Sequence, residues 1–79
     1  MSPVYLNRNP VKEGLTPSPD GVIVDFYTSR DYVFATVSLW LNGLRQEPEG
    51  NFLELGGSLI RLTVAPELED SIQAQYDPV

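Results

Sequence analysis

Seventy-nine residues suffice for one domain and no more. With neither cysteine nor histidine, the chain cannot build a disulfide framework, a Cys/His zinc site, a Ser-His-Asp triad or a Cys-His dyad. Eleven acids against five bases give a net charge of -6, which repels phosphate backbones and anionic lipid, so neither nucleic acid nor a membrane is an expected partner.

The first nineteen residues carry Pro3, Pro10, Pro17 and Pro19, four of the seven prolines. Each fixes φ and pushes its predecessor towards extended geometry, so an extended N-terminal arm is expected over residues 1–19 and a β domain over 20–79. Met1 to Arg8 lacks the apolar core of about 7 to 15 residues that a secretory signal needs, so a soluble product made in the cytoplasm is expected. Arg8 and Lys12 stand among the first twelve residues without an acid, which makes the leader weakly basic against an acidic body. It is either a loose end or a segment that lies along a neighbour, with Val4, Tyr5, Leu6 and Val11 as apolar contacts.

From residue 20 the hydrophobic period is two. Val22, Val24 and Phe26 alternate with Ile23, Asp25 and Tyr27, the pattern of a strand. Val33 to Leu41 is the longest alternating run and predicts the central strand. Asn42-Gly43 then supplies the positive φ values of a two-residue hairpin, returning through Leu44-Arg45-Gln46. Phe52 to Leu55 predicts a short strand closed by a turn at Gly56-Gly57. Ile60, Leu62 and Val64 predict the next strand, ended by Ala65-Pro66 because proline cannot donate to a ladder. Ile72, Ala74 and Tyr76 predict the last. Short strands about ten residues apart, with no helical period, predict a small antiparallel β-sandwich of about five to seven strands.

The segments Trp40 to Gln46, Asn51 to Pro66 and Asp70 to Tyr76 together resemble a small β domain that recurs in virion proteins of tailed bacteriophages. That family reads as an apolar strand ending in Asn-Gly-apolar-x-Gln, a short strand before a glycine turn, an alternating strand ending in Ala-Pro, and an Asp before a strand ending in Tyr. Thr16 to Phe26 is similar to its opening segment. The chain departs from the pattern at Glu69, where the family has glycine, and at Val33-Phe34-Ala35, which replaces a Pro-Gly loop. The matched positions Asn42, Gly43, Gly56, Gly57, Pro66 and Tyr76 serve turns, strand ends and the core, so the resemblance brings no catalytic residue.

The resemblance implies a non-enzymatic structural component of the phage virion: a capsid decoration, neck or tail-fibre-associated subunit. Its partners would be other capsid, neck or tail proteins, and it would be a homo-oligomer in the particle. No cofactor and no metal are expected. Trp40 falls on the opposite face from Val37, Leu39 and Leu41, so it is either covered by a loop or the arm, or part of an interface patch with Phe34 and Tyr27. The expected protein-binding residues are therefore Val4, Tyr5, Leu6, Arg8, Tyr27, Phe34 and Trp40. The alternative is a host-surface adhesin whose aromatic face holds carbohydrate. Glu47, Glu49, Glu54, Glu67, Glu69 and Asp70 read as solvated surface. Arg30, Arg45 and Arg61 are expected to pair with acids across strands, and the sheet edges show few signals that would block pairing with another chain.

Overall fold

The computed structural model describes residues 10–79. Seven strands, β1 (Val11–Gly14), β2 (Asp25–Tyr27), β3 (Ser38–Leu41), β4 (Leu44–Gln46), β5 (Phe52–Gly56), β6 (Leu59–Leu62) and β7 (Ile72–Tyr76), form two antiparallel sheets with no helix among the described residues. Sheet A has the order β1-β7-β3-β4 and sheet B the order β2-β6-β5. Alternation sends one side of each strand into a shared core, in which Tyr76, Phe26, Phe52, Leu39 and Ile60 are the largest fully buried side chains. Leu15, Tyr32, Val37, Leu62, Ile72 and Ala74 complete it.

The arm expected over residues 1–19 is, in its described part, a piece of the sandwich. β1 pairs with β7 from Val11↔Tyr76 to Gly14↔Gln73, and Leu15 is buried behind it. The chain then crosses between sheets through the Thr16–Tyr27 bridge, where each amide donates to the other's carbonyl. The sandwich thus takes in β1 and Leu15, part of the segment expected as an arm. Pro10 precedes the strand and Pro17 follows it, leaving just enough unbroken chain to pair.

Three strands are shorter than their alternating runs. Asp20 accepts hydrogen bonds from the amides of Val22 and Ile23 at 2.8 Å each, which holds that segment in a turn and leaves Val22 exposed. The long run from Val33 to Leu41 is split. Tyr32 and Val33 pair with the C-terminal tail, the Thr36 amide donates to the Val33 carbonyl across a turn, Ala35 takes φ 70°, and β3 proper starts at Ser38. The strand ending at Ala65-Pro66 instead stops at Leu62, and Val64 lies exposed. Pro66 is buried, and its carbonyl accepts the Gly21 amide at 2.8 Å.

The tight turns follow the sequence closely. Asn42 (φ 53°) and Gly43 (φ 85°) are the two loop residues between the Leu41↔Leu44 pair, a type I′ geometry. The second turn lies one residue later than expected. Gly57 and Ser58 form it, while Gly56, at φ 100°, belongs to a bulge between Glu54 and Gly56. That bulge also protects the β5 edge, together with the Glu49 amide on the Phe52 carbonyl and the Tyr32 hydroxyl on the Gly56 amide. The chain therefore carries edge protection that its sequence does not advertise.

Candidate binding face

The outward rows of sheet A are set by register. Gly14, Gln73, Trp40 and Arg45 align across the four strands, and Lys12, Gln75 and Ser38 align in the next row. Trp40 is partly exposed there, opposite the fully buried Leu39. The ammonium of Lys12 lies 5.0 Å from the indole centroid and the guanidinium of Arg45 lies 5.9 Å from it, both within cation–π range. They come from β1 and β4, the two edges of the sheet, on either side of the tryptophan.

Beside the indole is an open depression of about 400 Å³ lined by Lys12, Trp40, Asn42, Gly43, Ser71 and Gln73. None of these is acidic. Asn42 is spoken for: its amide nitrogen donates to Asp70 at 2.9 Å, and its amide oxygen accepts from the Ser71 amide at 2.8 Å. Those bonds fix the hairpin end against the start of β7. The Asn42 amide holds the Asp70 carboxyl below its ordinary value, helped by the Glu67 amide.

The expected aromatic patch is not assembled. Tyr27 sits on β2 in sheet B, and Phe34 projects from the β2–β3 loop beside a smaller depression with Val37, Pro48 and Phe52, so Trp40 stands apart from both. Among the described residues the one ring pair is internal, Tyr32 edge-on to Tyr76 with centroids 6.4 Å apart. Val4, Tyr5, Leu6 and Arg8 lie outside the described residues. Lys12, Gln73 and Ser71 were missed from sequence, since only register reveals that strands sixty residues apart bring them to Trp40.

The acids are spread among structural tasks. Glu13 accepts from the Tyr76 hydroxyl at 2.6 Å and from the hydroxyl and amide of Ser29 at 2.7 and 2.9 Å. Burial raises this carboxyl, but those three bonds prevail and lower it below its ordinary 4.5. Burial, with Glu13 adding to it, raises the Tyr76 phenol. Glu54 accepts the Ala35 amide at 2.6 Å and so pins the kinked loop to β5. Arg61 makes the expected cross-strand pair, with both Asp25 oxygens at 2.6 and 3.0 Å, whereas Arg45 turns to the indole. Among the described residues, no group of three or more Asp and Glu side chains is placed to hold a metal ion.

No family model matches the chain, and no curated protein or solved structure matches it.

Proposed function

We propose that the chain is a non-enzymatic structural component of a tailed-phage particle, a decoration, neck or tail-associated subunit present in several copies. It docks on another virion protein through the outer face of sheet A. The observation that carries this reading is Trp40. The only tryptophan of the chain stands on the outward side of the central strand pair and stays partly exposed between the Lys12 and Arg45 side chains. The order and spacing of the Asn42-Gly43 turn, the glycine turn, Pro66 and Tyr76 support the phage assignment. The acids support a binding role over catalysis, because Glu13, Asp20, Asp25, Glu54 and Asp70 each spend their oxygens on turns, loops or strand pairs.

A second reading, a host-surface adhesin for carbohydrate, is favoured by the depression beside the indole, where Ser71 and Gln73 offer polar groups next to a stacking surface. One pair of measurements separates the two. Under the docking reading, Trp40→Ala protein, checked for native circular dichroism, is absent from purified particles. Normal incorporation combined with lost adsorption to host cells overturns docking in favour of the adhesin.

A further inference from the structure

We infer that the Trp40 face takes a carboxylate-bearing peptide segment, an extended stretch of the docking partner whose apolar side chain lies on the indole while its Glu or Asp side chains meet Lys12 and Arg45. This rests on the docking reading and names the chemistry of the partner.

Charge distribution is the first support. The protein is strongly acidic, with a net charge of -6, yet the two outward rows of sheet A that surround Trp40 hold Lys12 and Arg45 and no acid. Of the other two cations among the described residues, Arg61 is committed to Asp25, and Arg30, unpaired, lies in the β2–β3 loop away from sheet A's outer rows. Lys12 and Arg45 form no ion pair among the described residues; they rest on the indole instead. A local cationic strip on an anionic body selects an anionic partner and rejects copies of its own acidic surface.

Shape is the second. A depression of about 400 Å³ opens beside the tryptophan, lined by Lys12 and Gln73 and by Asn42, Gly43 and Ser71 at the hairpin end and the approach to β7. Trp40 and Lys12 both line it, and Arg45, outside the lining, stands over the same ring from β4. In an extended peptide residues i, i+2 and i+4 share one face, so an acid-x-apolar-x-acid stretch sets its apolar group on the ring and its two acids towards Lys12 and Arg45.

Trp40 is the only tryptophan, so its emission reports on this site alone. The free protein is titrated with a terminally blocked Glu-Ser-Leu-Ser-Glu peptide, with its Gln-Ser-Leu-Ser-Gln counterpart, and with polygalacturonate. The expected result is a saturable change in emission with the glutamate peptide, about tenfold weaker in affinity for the glutamine peptide and for the folded Lys12→Gln/Arg45→Gln double variant. It weakens by a similar factor between about 50 and about 300 mM salt. General electrostatics works against this result, since the protein as a whole repels the peptide. No response, an equal response to both peptides, or an unchanged double variant overturns the inference, and a response to polygalacturonate alone overturns it in favour of an acidic sugar. Particle incorporation keeps the two proposals apart. If Trp40→Ala blocks incorporation while the double variant incorporates normally, docking stands and the acidic partner falls. If the peptide binds as expected but Trp40→Ala incorporates, the site stands and docking falls.

Discussion

The Tyr76 hydroxyl donates to Glu13 Oε2 at 2.6 Å and ties the last strand to the first across 63 positions of sequence. Glu13 faces inward on β1, in the row that continues through Ala74, Leu39 and Gln46. A carboxylate so placed needs partners, and Tyr76 and Ser29 supply three donors. Tyr76→Phe removes one of them and is expected to cost about 1.5 to 3 kcal/mol, the range for a hydrogen bond to a charged group. Glu13→Ala leaves the buried phenol without its acceptor and is expected to cost at least as much. Urea unfolding with an unchanged m-value measures both.

The hairpin between β3 and β4 depends on backbone shape. Asn42 holds φ 53°, which a short polar side chain tolerates and most others resist. Asn42→Ala is therefore expected to cost about 1 to 2 kcal/mol, and to loosen the start of β7 as its bonds to Asp70 and Ser71 disappear. Faster amide exchange at Ser71, whose amide donates to the Asn42 side chain, is the accompanying signature.

The core and the exposed ion pair should respond very differently. Leu39 is fully buried between the sheets, so Leu39→Ala is expected to cost about 2 to 5 kcal/mol. Asp25 and Arg61 pair at the surface, where water competes for both, and Asp25→Asn is expected to shift the thermal midpoint far less than Leu39→Ala. Comparable losses would contradict this division of labour.

Stability should be level across neutral pH and fall on both sides. The chain has neither His nor Cys, the side chains whose ordinary values lie nearest neutrality. Glu13, Asp20, Asp25 and Asp70 all have lowered folded values, so the stability they lend is complete above their unfolded values and is lost as pH falls through the folded ones. The acid limb therefore begins near the ordinary 4.5 of glutamate and 3.8 of aspartate. Tyr32 and Tyr76 are raised, chiefly by burial, so their contribution is complete below 10.0 and is lost as pH rises through the folded values. Denaturation midpoints across pH test this, and Glu13→Gln should flatten part of the acid limb.

Local signals in the sequence carried far, and non-local pairing was where they stopped. The Asn42-Gly43 hairpin, β5 and β7 could be read because turn chemistry and alternation act between near neighbours. β1 could not, since Val11-Lys12-Glu13-Gly14 has an inward acid and one apolar residue, and becomes a strand only because Tyr76 arrives to receive it. The run from Val33 to Leu41 was read as one strand because alternation survives the kink at Ala35, whose positive φ is held by Glu54 from β5. The outward position of Trp40 was legible from period two. Its neighbours Lys12 and Gln73 were not, because strand order alone places them beside it.

Near-atomic imaging of intact particles tests the central claim most directly. The account predicts that the Trp40 indole, with Lys12 and Arg45 beside it, lies within about 4 Å of another virion protein, and that the contacting segment carries Glu or Asp. A particle in which the outer face of sheet A looks into solvent, while sheet B makes the attachment, would contradict it.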